Sequence, residues 1–451
     1  MTNTGRIDRR LRPRRRGWLA LMPLAVLALL MVGLGVLWGD FYKVPMTIVF
    51  LFTSLTALLT LRGFPIEERV EIFSRGAGAK DLLLMVWIFV LAGAFAKSAQ
   101  TMGAVGATVD LSLKFLPESV LLAGLFLASC IVSLCVGTSV GTIVAIVPVG
   151  TEMAARTNMA VPLMVAAIVG GAFFGDNLSF ISDTTVAATK TQGCSMKDKF
   201  RTNFRIVFPA ALICFVLYAV IGLQSAGTGG LEAAKLDLWR IVPYLVVLVT
   251  AILGVNVLLV LCMGCLLTGI VGIAEGTYGF DDWICSMAEG IAGMGELILI
   301  SMMAGGLLSV IRKGGGVTYL VRGLTRRVHT RKGAECCISA LVALTNLCTA
   351  NNTVAILSIG SIAKDISQKY GVDSRRAASL LDIFSCVVQG AIPYGAQLLM
   401  AAGLAAISPM QIIPCLYYPM LLAVVAALSI VFSDSIYLRK KSGTASKDLG
   451  K

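Results

Sequence analysis

Apolar runs of membrane-crossing length, separated by short basic loops, recur along nearly the whole chain. A helix needs about 20 consecutive apolar residues to cross a bilayer, and the runs at about 18–38, 44–61, 206–223 and 412–432 reach or approach that length. Of the 451 residues, 57% are hydrophobic and only 14% charged, with a mean hydropathy of +0.85. Soluble domains carry about 25% charged residues. No stretch is long and polar enough to form a soluble domain, so the chain reads as an all-α polytopic membrane protein.

The net charge of +13 invites a nucleic-acid reading, but the basic residues are grouped. Seven arginines fall between Arg6 and Arg16, and others cluster at Lys190–Arg205, Arg312–Lys332, Lys364–Arg376 and Arg439–Lys451. Clusters between apolar helices are the positive-inside signature, and they orient a membrane protein. The reading is therefore a plasma (inner) membrane protein with both termini cytoplasmic and no nucleic-acid partner. No small-residue cleavage motif follows the arginine-rich start, so Trp18–Trp38 reads as a retained helix. The twelve cysteines read as small buried hydrophobes, and Cys262-x-x-Cys265 has no second ligand pair for zinc. His329, the sole histidine, sits in a basic loop and reads as solvated or structural.

Two parts of the chain look alike. The run from about 118 breaks at Gly137-Thr138-Ser139-Val140-Gly141-Thr142 and resumes at Ile143. The run from Cys336 breaks at Thr349-Ala350-Asn351-Asn352-Thr353 and resumes at Val354, about 210 residues later. Each reads as two short arms around a polar tip, a re-entrant hairpin; one long kinked helix is the alternative. The crossing after each hairpin is also interrupted, at 175–185 and at Gln389–Gly395. The first hairpin has few basic residues at its flanks and the second has many, so the two enter from opposite sides. Similar units of opposite orientation form an inverted-topology repeat. The expected layout is ten crossings plus two re-entrant hairpins. It divides into a basic N-terminus (1–17), a helix hairpin and loop (18–80), a first repeat (81–224), a linking loop and helix pair (225–280), an inverted second repeat (281–433) and a basic tail (434–451).

The interrupted crossings carry the chemistry. Residues 170–185 place Asp176 and Asp183 among Asn177, Ser179, Ser182 and Thr184. A carboxylate at bilayer depth costs at least about 2.5 kcal/mol, so it persists only where it faces a cavity, a partner or an ion. Neighbouring glycines and small polar residues suggest an unwound helix that offers backbone carbonyls. With the tips Thr138, Ser139, Thr142 and Asn351, Asn352, Thr353, these oxygens suit a hard monovalent cation such as sodium. The paired position in the second half reads Gly390-Ala391, which puts the acid in the first half only. Asp176 is the expected carrier of ion and proton, and Asp183 a supporting ligand or a cap on a half-helix. Asp382, Gln389 and Tyr394 are secondary candidates, Asp382 pairing with Ser385 or Gln389. No Lys or Arg falls within these four polar elements, which favours a cation as sole cargo.

Phe174-Gly175-Asp176-x-x-Ser179-x-x-Ser182-Asp183-Thr184-Thr185 resembles the signature of the NhaC-type sodium/proton antiporters, Gly-Asp-x-x-Ser-Pro-Leu-Ser-Asp-Thr-Thr. Pro393-Tyr394 is similar to the Pro-Trp of that family's second half. The likeness spans about residues 80–435. It implies the ion transporter superfamily fold and extrusion of sodium in exchange for protons. Phe180 replaces the family's proline and Tyr394 its tryptophan, which leaves substrate identity more open than fold.

Two transport readings follow. One is sodium/proton exchange by alternating access, with sodium and the proton as transported species and no cofactor. The other is a sodium- or proton-coupled carrier of a small carboxylate or amino acid. An intramembrane aspartyl protease is disfavoured, because Phe173 stands where Gly-x-Gly-Asp needs a glycine, so no enzyme activity is expected. The expected partners are membrane lipid and the small cation, with a homodimer the assembly considered.

Overall fold

The computed structural model describes residues 18–39, 44–61, 63–115, 117–157, 159–180, 182–225, 237–326 and 328–432. The arginine-rich start, the basic tail and most of the Gly-rich loop at 225–239 lie outside the described residues. Among the described residues there is no strand. The helices are α1 (Met22–Leu37), α2 (Met46–Thr60), α3 (Ile66–Ala77), α4 (Lys80–Met102), α5 (Ala104–Phe115), α6 (Glu118–Val136), α7 (Ser139–Thr157), α8 (Val161–Leu178), α9 (Asp183–Gln192) and α10 (Met196–Ser225). They continue as α11 (Leu238–Ile252), α12 (Val257–Ala274), α13 (Phe280–Gly293), α14 (Gly295–Gly314), α15 (Gly316–Thr325), α16 (Arg331–Thr349), α17 (Asn352–Tyr370), α18 (Ser374–Ala391), α19 (Ala396–Ala405), α20 (Pro409–Ile412) and α21 (Tyr417–Val431).

The two halves superpose in order at a fixed offset. Helices α6 and α16, α7 and α17, α8 and α18, α9 and α19, and α10 and α20 each begin 213 positions apart. Finer details keep that offset. Gly137 closes the first hairpin arm with φ 75° and its counterpart Ala350 does so with φ 49°; Gly193 and Ala406 (φ 69° and 52°) close α9 and α19. Ser133 Oγ donates to Ala172 O at 2.6 Å, and Asn346 Nδ2, 213 positions on, donates to Ser385 O at 2.7 Å. The outer packing is reciprocal as well. Helix α3 packs on α14 where a Cβ on Gly76 would lie 2.5 Å from Gly305 O. Helix α13 packs on α4 where one on Gly290 would lie 2.1 Å from Gly93 O. The repeat therefore starts earlier than 81 and 281: α1–α10 mirror α11–α21, and the supposed linker helices are the opening of the second unit.

Among the described residues, eight helical spans are long and apolar enough to cross a membrane, nine if the bent pair Pro409–Cys415 and Tyr417–Val431 is one span. One of these, Ser119–Val136, is a hairpin arm, and the shorter apolar helices Met46–Thr60 and Leu238–Thr250 bring the crossings to ten. Five crossings separate the two hairpins: α8–α9, α10, α11, α12 and α13–α14. An odd number puts the hairpins on opposite sides, which makes the repeat inverted.

Several expectations need correction. The hairpin arms are not short; α6, α7, α16 and α17 have 19 residues each. The kinked-helix alternative fails, because the left-handed Gly137 turns the chain back and α7 packs on α6. The loops Arg62–Lys80 and Arg312–Lys332 contain α3 and α15, and the basic stretch Lys190–Arg205 is mostly the end of α9 and the start of α10. Charge had marked all three as loops, yet an amphipathic helix at a membrane face carries the same charge. The expected turn at Gly254-Val255-Asn256 is present, with Asn256 Oδ1 capping Leu258 N at 2.9 Å. Cys262, Cys285 and Cys336 are exposed on the protein surface, not buried.

Candidate functional site

The site forms where the first hairpin meets the interrupted crossing α8–α9. Gly171 and Gly175, one turn apart on α8, allow this meeting. A Cβ on Gly171 would lie 2.4 Å from Phe126 O, and one on Gly175 2.4 Å from Ser133 Cβ. Small residues let helices approach closely where lipid offers no hydrophobic drive. The glycines therefore do not unwind the helix, as the sequence had suggested. The break comes later, at Ser179 and Ser182, both in extended conformation (ψ 138° and 136°).

Asp176 lies in the last turn of α8 and is 5% exposed. Ser139, from the first hairpin tip, donates to its Oδ2 at 2.9 Å, and Ser182, across the break, donates to its Oδ1 at 2.5 Å. Serine at a helix start usually caps that helix. Ser182 makes no such cap; its hydroxyl serves Asp176 and lies 2.9 Å from Thr184 Oγ1. The chain of contacts continues into the second repeat. Gln397 Nε2 donates to Ser139 Oγ at 3.0 Å, and Gln389 Nε2 donates to Gln397 Oε1 at 3.0 Å and to Ala350 O at 2.9 Å. At the structural offset the partner of Asp176 is Gln389, and that of Thr184 is Gln397. This corrects the sequence alignment, which had set Gly175-Asp176 against Gly390-Ala391. The asymmetry itself stands: acid in one half, amide in the other.

A second buried cluster lies next to the first. Lys199 and Asn203, four apart on the inner face of α10, are 1% and 0% exposed. Lys199 Nζ donates to Asp382 Oδ2 at 2.6 Å, Thr185 Oγ1 at 2.7 Å and Asn177 O at 2.9 Å. Asn203 Nδ2 donates to the same Asn177 O and Asp382 Oδ2, each at 2.9 Å. The carbonyl at the end of α8, which a continuous helix would satisfy internally, is thus held by two side chains. Asp382 does not pair through its carboxylate with Ser385 or Gln389, as had been expected; Ser385 Oγ bonds only its backbone oxygen. A lysine does stand in the site, brought in by α10 from outside the four polar elements, within which the sequence has no Lys or Arg. Lys199 was hidden inside a charge cluster, but its neighbours Lys197, Arg201 and Arg205 are exposed. The legible signal was the i, i+4 spacing of Lys199 and Asn203 beside the aromatic stripe Phe200, Phe204, Phe208. Gln397, also overlooked, is the one polar side chain in α19.

The other candidates are dispersed. Asp183 is exposed in the first turn of α9, where its charge favours the helix N-terminus; the structure does not bring it to Asp176. Thr142 bonds back to Thr138 O at 3.1 Å. Asn351 caps α17 through Val354 N at 3.0 Å. Asn352 pairs with Asn346 at 3.2 Å and Thr353 is half-buried. Tyr394 donates to Leu347 O at 2.8 Å, and Ser179 is buried in the break. Of the tip residues only Ser139 touches Asp176. Glu152, Glu275 and Glu296 contact Arg156, Arg240 and Thr47, away from this cluster. A cavity of about 460 Å³ reaches the second tip at Ala350 and Asn351, with Tyr394, Ala396 and Arg312 on its wall.

Comparison with known proteins gives a consistent picture. The family model described as the Na+/H+ antiporter family matches residues 18–223 and 233–434, the same two halves that the structure repeats. The malate-2H(+)/Na(+)-lactate antiporter of Bacillus subtilis is 22% identical over 411 residues, covering 83% of this chain and 86% of the relative. The Na(+)/H(+) antiporter NhaC of the same organism is 26% identical over 357 residues, 70% of this chain and 76% of the relative. The arginine/ornithine antiporter ArcD of Halobacterium salinarum is 25% identical over 417 residues, 83% of each chain.

Proposed function

We infer the reaction from the premise that the chain belongs to the Na+/H+ antiporter family: it is a secondary transporter that exchanges sodium for protons across the membrane. The observation that carries the reading is the buried Asp176 carboxylate, approached by the first hairpin tip and by the far side of its own broken helix. A carboxylate so placed accommodates a sodium ion or a proton and hardly both, so the two compete for it. Ser139, Ser182 and Thr184 supply hydroxyl oxygens beside it, a donor set fit for a hard monovalent cation. The two units then rock about this point and expose it to each side in turn, as inverted repeats do. The density of basic residues around the second hairpin supports a cytoplasmic position for that side, with the protein in the cell membrane.

A second reading, exchange of a small carboxylate or amino acid coupled to sodium or protons, is favoured by Lys199 in the site and by Arg312 on the wall of the cavity. Proteoliposomes loaded with a pH reporter and challenged with a panel of cations and small carboxylates separate the two. Proton efflux driven by sodium alone supports the first reading; proton movement only when a carboxylate accompanies sodium supports the second. Cysteine labelling at Thr138 and Asn351 on a cysteine-depleted background tests the geometry. Both positions labelled from one side only would sink the inverted arrangement.

A further inference from the structure

The Lys199 cluster holds more oxygen than a lysine needs. An ammonium has three donors, and Lys199 uses them on a carbonyl, a hydroxyl and a carboxylate at 2.6–2.9 Å. Two further oxygens of the same residues, Asp382 Oδ1 and Asn177 Oδ1, are buried with no hydrogen bond. A bare buried acceptor is costly, because it has given up its water and gained no donor. An excess of acceptors over donors is what a cation seat presents when its occupant supplies only three contacts.

Structural need does not account for the cluster. At the offset of 213 positions, Lys199, Asn203 and Asp382 correspond to Ile412, Leu416 and Val169. The symmetry-related positions, Ile412 and Leu416 in the second repeat and Val169 in the first, are apolar and buried: Leu416 is 1% exposed, and Val169 and Ile412 are 0% exposed. A buried ion pair is in general no more stabilising than well-packed apolar residues. The cluster joins Lys199 and Asn203 of the first repeat to Asp382 of the second, beside Asp176, and the fold does without such a cluster at the symmetry-related positions.

We propose that Asn177, Thr185 and Asp382 form a second monovalent-cation seat, distinct from the one at Asp176, and that the ammonium of Lys199 occupies it as a tethered cation. The lysine stands in for a free ion, so only one seat is left to the exchanged sodium. This rests on the reading that Asp176 binds the exchanged sodium only in calling the seat a second one. Removing the ammonium leaves a carboxylate, a hydroxyl and a carbonyl around a vacated volume, and sodium, potassium or methylammonium fills it.

The test uses the full-length protein in detergent, at fixed pH and ionic strength. Equilibrium binding of radioactive sodium and thermal stability are measured in sodium, potassium, methylammonium and choline chlorides. Lys199→Ala is expected to bind about twice the sodium of the wild type and to melt lower than it in choline, with the loss restored by the three smaller cations. Lys199→Ala/Asp382→Asn is expected to bind no more sodium than the wild type. Adding Asp176→Asn to Lys199→Ala removes the wild-type increment and leaves the new one. If Lys199→Ala is not recovered from membranes, Lys199→Ser, which also vacates the volume, gives the same comparison. Unchanged sodium capacity in both lysine variants, with equal melting in choline and sodium, overturns the proposal. A wild type that binds no sodium beside a lysine variant that does would instead defeat the exchange reading and keep the seat.

Discussion

The interrupted crossings α8–α9 and α18–α19 are the same device built twice, and they differ in what they hold. Both follow a hairpin, both break after about five turns, and both are tied to the preceding arm by an equivalent side-chain hydrogen bond. At the break one has Asp176 with Ser182, and the other has Gln389 with Gly395. The backbone is symmetric because two-sided access needs two equivalent gates. On the proposed reading the chemistry is asymmetric because one carboxylate, Asp176, suffices to make sodium and protons compete. Scaffold and coupling are thus separable, and substitutions that make the halves more alike, or less, address one or the other.

The largest effect is expected from Asp176→Asn, which leaves an amide in both halves. Coupled exchange in proteoliposomes should fall about 100-fold or more, equivalent to losing roughly 3 kcal/mol of ion binding, with the protein still inserted. In the wild type, lowering the pH should raise the sodium concentration needed for half-maximal flux, because protonation removes the anionic ligand; the variant should show no such dependence. Wild-type exchange by inserted Asp176→Asn protein would refute the assignment.

Next comes the buried Lys199–Asp382 pair, which joins the two halves and has apolar residues at its symmetry-related positions. Asp382→Val alone strands the Lys199 charge and should cost about 3–5 kcal/mol, read as a drop in melting temperature. Lys199→Ile/Asp382→Val, which copies Ile412 and Val169, should recover most of that stability. A double variant no more stable than the single one would show that the two sides do not share a packing solution.

A smaller effect is expected at the helix contact. Gly175 has Val388 as its counterpart, so the first half packs more tightly than the second. In Gly175→Ala the new methyl would meet Ser133 Cβ at 2.4 Å and Leu134 N at 2.5 Å. Overpacking of this kind costs about 1–3 kcal/mol and should lift Ser139 away from Asp176, lowering sodium affinity together with the melting temperature. The smallest difference lies at the turns. Ala350 occupies the left-handed region that Gly137 occupies in the other hairpin. Ala350→Gly should stabilise by about 1 kcal/mol and Gly137→Ala should destabilise by a similar amount, both measured by thermal melting.

Much of the site was legible because its residues break a local rule. Asp176 is a charge in an apolar run, and Ser182 and Thr184 are polar residues where a span should continue; such violations stand out one residue at a time. Asp183 stood out for the same reason and proved to be an exposed residue at a helix start, since sequence does not tell a carboxylate facing inward from one facing solvent. Lys199 was missed for the opposite reason. It obeys the local rule by sitting among other basic residues at a membrane face, and only its position on the inner side of α10 makes it exceptional. The repeat was visible but its register was not. Apolar residues substitute freely for one another, so matching them slides by a few positions, while φ angles and hydrogen bonds fix the offset.

The sequence by itself determined the class of the molecule: helices, because lipid leaves backbone groups no other partner; an inverted repeat, from the loop charges and paired breaks; and an acid at the break of the first half without one at the break of the second. Tertiary structure decided which oxygens surround that acid. Ser139 comes to Asp176 from 37 positions before it, Gln397 reaches Ser139 across 258 positions, and Lys199 and Asp382 meet across 183 positions. Contacts of that range depend on helix faces and close approaches such as Gly175 on Ser133, set by packing of the whole bundle rather than by any local pattern along the chain.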